Sequence, residues 1–283
     1  MNANLPPKMP AISAWLRSAT AQLTAAAIPS AHLDAEILLA HTLKKSRTFL
    51  HAHGDEELDV RQIEIADARL ALRLDRIPIA YIIGHKEFYG RLFRVTPATL
   101  IPRPETETII ELLKEIVPTM TPPLPHTTRL VDVGTGSGCI GITAKLEFPE
   151  LEVTLTDISR HALNVAAGNA KFLKADVTLT RSNLLIDYPF TADFILANLP
   201  YVDTEWERSL ETNFEPKLAL FAENHGLALI YRLIDEAEIR CAKQGFTLLE
   251  ADPRQHDDII IYAKSRGFRL HETRGFIVCL QKL

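Results

Sequence analysis

The chain has 283 residues, is 47% apolar and carries 31 Lys and Arg against 36 Asp and Glu, a net charge of −5. That is enough chain for two domains with a sizeable core, and no apolar run approaches the roughly 20 residues that span a bilayer. The opening MNANLPPKMP lacks the apolar stretch of a secretory signal, and Cys139, Cys241 and Cys279 lie too far apart for a disulfide framework or a clustered metal site. The expectation is a cytosolic protein with buried free thiols and no bound metal. The charge is unevenly spread, with 9 basic and 9 acidic residues in 1–80, 5 and 5 in 81–126, and 17 and 22 in 127–283. Nucleic-acid binders usually show a basic excess, because phosphate neutralisation supplies much of their affinity. Direct nucleic-acid binding is therefore not expected.

Residues 1–80 read as a small all-α bundle. In AISAWLRSATAQL, Ile12, Leu16, Ala19 and Leu23 share one helical face, and Pro29-Ser30 is expected to end that helix and cap the next. LDAEILLAHTL and the stretch 60–74 continue the amphipathic pattern. No cluster of chemically useful side chains stands out, so recognition or packing is the expected role. Residues 81–126 read as a connector. Gly84 and Gly90 flank alternating aromatics, which suggests a hairpin. Pro97, Pro102 and Pro104 then force an extended path into a helix near Glu105, and TPPLPHTT reads as a linker.

From Arg129 the pattern alternates. LVDVG, VTLTD, DFILAN and FTLLE read as strands, separated by helices over CIGITAKLE, HALNVAAGNAKFL and 227–243. A helix around 257–265 and two strands about a turn at Arg274-Gly275 finish the chain. Such alternation predicts an α/β fold, a mostly parallel sheet covered by helices on both faces over residues 127–283. The closing antiparallel hairpin is not usual for the cofactor domain of dinucleotide dehydrogenases.

The turn VDVGTGSGCIG joins a strand to a helix start, and Gly134, Gly136 and Gly138 let the backbone approach a ligand closely. A G-x-G-x-x-G frame is also present, from Gly136 to Gly141, and by itself it says little. Asp132, inside the strand, argues for S-adenosylmethionine over a dinucleotide. A carboxylate there can hold the turn or reach the positively charged methionine end of that cofactor. Nothing basic lies near the helix start to meet a pyrophosphate. Asp157 ends the next strand, 25 residues on, where it can accept both ribose hydroxyls or cap the following helix. RSNLL should border the adenine, with Leu184 as an apolar wall and Asn183 as a hydrogen-bond partner.

Phe194-Ile195-Leu196-Ala197 has no polar face and stops on Asn198, Leu199, Pro200 and Tyr201. Asn and Pro commonly close strands, and a Tyr can simply cap a core. Beside a methyl donor, however, the four residues resemble the N-P-P-Y motif of methyltransferases acting on planar nitrogens. An amide nitrogen is a poor nucleophile because its lone pair is delocalised. The Asn198 side-chain oxygen and the Leu199 carbonyl can each accept one N–H, which aims the nitrogen at the methyl group. Pro200 stiffens the loop and Tyr201 can stack on the flat group.

GHKEFYG, LIPRPETE, VDVGTGSGCIGI, NLPYVD, EPKLAL and LLEADPRQ together resemble the HemK-type peptide chain release factor glutamine methyltransferases. The resemblance implies a Rossmann-like class I methyltransferase domain behind a helical substrate-recognition domain and a hairpin linker. It implies S-adenosyl-L-methionine contacts at Asp132, Gly134, Thr135, Gly136, Ser137, Gly138, Asp157, Asn183, Leu184 and Asn198. Asn198 to Tyr201 would hold the glutamine of a release factor's Gly-Gly-Gln loop, in a protein expected to act as a monomer. Leu199 stands where the motif has Pro; its role belongs to a backbone carbonyl, so altered loop stiffness is expected rather than lost chemistry. Asn183 stands where the family often has Asp. Three alternatives remain open: an adenine-N6 methyltransferase on DNA or RNA, a ribosomal-protein glutamine methyltransferase, and a binding module without catalysis.

Overall fold

Five helices, α1 (Ile12–Ala25), α2 (Ala31–Leu43), α3 (Arg47–Ala52), α4 (Val60–Leu74) and α5 (Ile79–Ile83), form the N-terminal part of the computed structural model. The model describes residues 9–119, 127–203, 205–207 and 209–283. The buried face of α1 is Ile12, Trp15, Ala19 and Leu23. Trp15 takes the place expected for Leu16, because its indole packs inward while Nε1 donates to Asp67 Oδ1 at 2.8 Å. The helix ends at Ala25, ahead of Pro29, and Ser30 opens α2 without a side-chain cap. Asp59 and Gln62 cap α4 reciprocally, which sharpens its start. The bundle also buries charges that the sequence pattern did not signal. Arg73 lies between Asp34 at 2.6 Å and Glu211 at 3.0 Å, each charge satisfied by its partner.

The chain divides into two compact units, Met1–Gly84 with Leu210–Phe214, and His85–Ser209 with Glu215–Leu283. The second begins with a hairpin of β1 (His85–Phe88) and β2 (Arg91–Arg94). Tyr89 and Gly90 both have positive φ, the turn that matches strand twist. Phe88 and Phe93 are sunk in the second unit's core, so the hairpin is part of that unit. The prolines then lead into a turn at Pro104–Glu107 and α6 (Thr108–Ile116). Most of the segment read as a linker, 121–126, lies outside the described residues.

The remaining elements are β3 (Arg129–Val133), α7 (Cys139–Glu147), β4 (Glu152–Asp157), α8 (Arg160–Leu173), β5 (Thr178–Arg181), β6 (Ala192–Ala197), α9 (Ala228–Arg240), β7 (Cys241–Glu250), α10 (His256–Ser265), β8 (Phe268–Arg274) and β9 (Ile277–Lys282). Seven strands make one sheet in the order β5-β4-β3-β6-β7-β9-β8. The first five are parallel, and β9 runs antiparallel to both neighbours. Three details depart from the sequence reading. The edge strand β5 went unread, β7 begins at Cys241 where a helix was expected to continue, and the closing turn falls on Gly275-Phe276.

Burial on both faces explains the apolar run in β6. Phe194 and Leu196 join the core under α6 and α7, while Ile195 and Ala197 join the core under α9 and α10. The three thiols are free and buried, and burial pushes each up to about 12, which leaves them inert. Among the described residues no helix is long and apolar enough to cross a membrane, and no His, Cys, Asp and Glu side chains are grouped to hold a metal ion.

Candidate functional site

Register assembles the site. Val133 pairs with Thr156 on one side and Ala197 on the other, so the chain leaves three adjacent strands at one level. The residues that follow are Gly134, Asp157 and Asn198. The order of strands reverses at β3, and in parallel sheets the crevice at such a reversal, beyond the carboxyl ends, is where ligands bind. Here a cleft of about 900 Å3, counting its open mouth, lies at that point.

The glycine turn is built around Asp132. Its Oδ2 accepts from Thr135 Oγ1 at 2.6 Å and from the Gly141 amide at 2.9 Å. Gly141 must lack a side chain, since a methyl there would stand 2.2 Å from Leu155 and 2.9 Å from Asp132. The carboxylate is fully buried and Oδ1 has no partner. Burial raises its pKa from 3.8 to about 6, against the pull of the Thr135 and Gly141 bonds. Gly134 and Gly136 have φ of +71° and +56° and border the cleft. Thr135, Ser137 and Gly138 shape the turn from below: Thr135 is tied to Asp132, and the Ser137 carbonyl accepts from Asn169.

Asp157 reaches the cleft from β4. Its Oδ2 accepts from the Gly136 amide at 3.0 Å and its Oδ1 from the Ser159 amide at 2.8 Å, which locks the two strand ends together. Burial raises its pKa, opposed by those backbone bonds. The cap of α8 is Ser159, which accepts from Ala162, so Asp157 retains lone pairs toward the cleft. Asn183 and Leu184 line the neighbouring wall with Ile158, and Leu184 is held at positive φ.

Asn198, Leu199 and Pro200 line the cleft as well. Leu199 is buried, with Cδ2 2.9 Å from where a methyl on Gly134 would sit. Its side chain therefore fills the space over the glycine turn. Tyr201 follows them without lining the cleft: its hydroxyl donates to Glu250 Oε1 at 3.1 Å, and burial with the Glu250 charge pushes the phenol well above its ordinary value. The Tyr201 carbonyl accepts from Gln255, and Gly226 passes so close that a methyl would lie 1.9 Å from that oxygen. The roof comes from Ala98, Thr99 and Leu100 on one side and Pro216, Leu218 and Ala219 on the other. Glu215 staples these together, accepting from the Ile101 amide at 3.1 Å and from Arg103.

Sequence reasoning quoted LIPRPETE, EPKLAL and LLEADPRQ without assigning roles inside them. The structure places Thr106 and Glu250 behind Asn198, and Glu215 against the segment at Ile101 and Arg103. An acid closing the apolar strand FTLLE was the available signal for Glu250.

A family model described as PrmC N-terminal domain matches residues 14–84, and one described as Methyltransferase small domain matches residues 110–214. A Koribacter versatilis protein named release factor glutamine methyltransferase is 39% identical over 246 residues, covering 83% of this chain and 86% of its own. A Salmonella typhimurium protein of the same name is 35% identical over 268 residues, covering 92% of each. Among solved structures, the T. thermophilus 16S rRNA methyltransferase RsmC, in complex with AdoMet and guanosine, matches with a TM-score of 0.51 at 12% identity, over 70% of this chain and 49% of that one, a likeness of fold alone. With a third or more of its residues shared along most of its length, the chain belongs to the release factor glutamine methyltransferase family.

Proposed function

We propose that this chain transfers a methyl group from S-adenosylmethionine to the side-chain amide nitrogen of the glutamine in the Gly-Gly-Gln loop of a peptide chain release factor. The observation that carries it is the juxtaposition of Gly134, Asp157 and Asn198 at one level of the sheet, in a chain of this family. The cleft suits the cofactor chemically. Asp157 offers lone pairs to ribose hydroxyls, Leu184 and Ile158 offer apolar walls to adenine, and the buried Asp132 carboxylate behind the glycine turn adds negative potential that favours a cation. When bound, S-adenosylmethionine supplies an electrophilic methyl group on a sulfonium.

The protein's part is orientation. Asn198 Oδ1 and the Leu199 carbonyl each accept one N–H of the substrate amide, which turns the nitrogen lone pair toward the methyl group. As the N–C bond forms and the S–C bond breaks, positive charge develops on nitrogen, and the same two oxygens stabilise it. The nitrogen then loses a proton to water, so no base is needed before transfer. Pro200 stiffens the loop. Tyr201 acts through Glu250 from behind the loop.

The helical unit serves as the docking surface for the release factor, supported by its separation from a cleft that is complete within the second unit. One chain supplies the whole cleft, which supports action as a monomer. The relatives' names favour this substrate over ribosomal-protein glutamine or adenine. The test is incubation with isotopically labelled S-adenosylmethionine and a purified release factor, followed by mass spectrometry of the Gly-Gly-Gln peptide. One methyl on that glutamine is expected, and an unmodified peptide beside a methylated adenine oligonucleotide would overturn the reading.

A further inference from the structure

Asn198 is held from behind by a buried polar chain. Its Nδ2 donates to Thr106 Oγ1 at 3.1 Å, Thr106 Oγ1 donates to Glu250 Oε2 at 2.6 Å, and the Tyr201 hydroxyl donates to Glu250 Oε1 at 3.1 Å. Thr106 and Glu250 are 1% and 2% exposed, so water does not compete for these bonds. Register brings the acid there: Ala197 pairs with Leu249, so Asn198 and Glu250 leave β6 and β7 side by side.

The chain has a direction fixed by chemistry. An ionised carboxylate only accepts, so the single hydroxyl hydrogen of Thr106 goes to Glu250. The Thr106 oxygen then has only lone pairs left for Asn198. Asn198 must meet it, and the Glu250 carboxylate beside it, with its NH2 group, which leaves the carbonyl oxygen as the atom turned to the cleft. A reversed amide would present N–H to the N–H of the substrate, donor against donor. We infer that Thr106 and Glu250 are positioning residues that set the polarity of the Asn198 amide, so that its oxygen faces the substrate nitrogen. The inference rests on the glutamine-methylation reading above.

The groups facing Glu250 are Glu105 and Thr106 on the turn before α6, Cys139 on α7, and Asn198 and Tyr201 on the loop after β6. Arg103 and Asp252 act on Tyr201 in turn. Burial raises the Glu250 pKa and Glu105 adds to it, while the bonds from Thr106, Tyr201 and Asn198 lower it. A protonated Glu250 can donate to Thr106 and run the chain backwards, so transfer should weaken in acid as this group gains its proton.

Thr106→Val is the direct test, because it removes the hydroxyl with little change of shape, and Thr106→Ser restores it. With saturating cofactor, the single-turnover methylation rate of Thr106→Val should fall roughly 10–100-fold, the scale seen when a partner that orients a functional ligand is lost. Cofactor affinity and KM for the release factor should stay near wild type, and Thr106→Ser should recover most of the rate. A second readout is independent of turnover. The Asn198 side-chain NH2 resonance, identified by its loss in Asn198→Ala, should exchange slowly with solvent in the wild type and fast in Thr106→Val. A wild-type rate in Thr106→Val, or an unchanged Asn198 resonance, overturns the inference. If the resonance responds as expected while the wild type methylates no release factor, the positioning stands and the substrate reading fails.

Discussion

Replacing Asp132 by Asn should make the stability of the second unit much less sensitive to pH between 4 and 6. Asp132 is fully buried, and burial lifts its pKa from 3.8 to about 6. The gap is about 2 units, worth about 3 kcal/mol at 1.36 kcal/mol per unit. Because the folded pKa is raised, the favourable contribution is fully present below pH 3.8 and is lost as pH rises to about 6. Above that, the folded protein carries a charge it holds at a cost. Asn keeps an oxygen for Thr135 and Gly141 but puts an unpaired NH2 where Oδ1 stood, a fixed penalty of about 1–3 kcal/mol at every pH. The stability of the Asn variant relative to wild type should therefore improve by about 2 kcal/mol from pH 4 to 6 and level off about one pH unit higher. Urea unfolding measures this, followed by Trp206 fluorescence in a Trp15→Phe background so that only the second unit reports. Parallel stability curves for the two proteins across that range would refute the assignment of the buried charge. The same substitution should weaken S-adenosylmethionine binding, since the buried negative charge behind the glycine turn is gone.

Asp157→Ala should weaken S-adenosylmethionine by about 1–3 kcal/mol in calorimetry through loss of charged hydrogen bonds to the ribose; unchanged affinity would leave Asp157 a lock between strand ends. Asn198→Ala should lower the single-turnover rate roughly 10²–10³-fold, about the effect of one oxyanion-hole donor, with cofactor affinity nearly intact. Leu199→Pro keeps the carbonyl but uncovers Gly134, so a rate near wild type with stability lower by about 1 kcal/mol is expected from melting and turnover together. Gly226→Ala places a methyl against the Tyr201 carbonyl at a site with φ of +84°, and should cost about 1–3 kcal/mol and disturb transfer, read by thermal unfolding and by rate.

Periodicity was enough to read the helical bundle, the alternating strands and helices and the closing hairpin, because those signals are local: a helix or a buried strand declares itself within a few residues. The glycine turn, Asp157 and NLPY were legible for the same reason, each a short run of special residues at a strand end. What sequence could not supply was sideways order. β5 is four residues on a sheet edge with little buried area, too short to show a period. Leu210–Phe214 groups with helices more than 120 residues earlier, and no local pattern encodes that. Tyr201 was legible as a flat ring at a strand end, but the partner of its hydroxyl, Glu250, lies 49 residues away. Asn198 lies beside Glu250 because β6 is next to β7 in a register that pairs Ala197 with Leu249, and Thr106, 144 residues before Glu250, reaches the acid from the turn ahead of α6. Side-chain chemistry is written locally, but the partner that orients a side chain is chosen by which strands become neighbours, a choice made by burying both faces of the sheet at once.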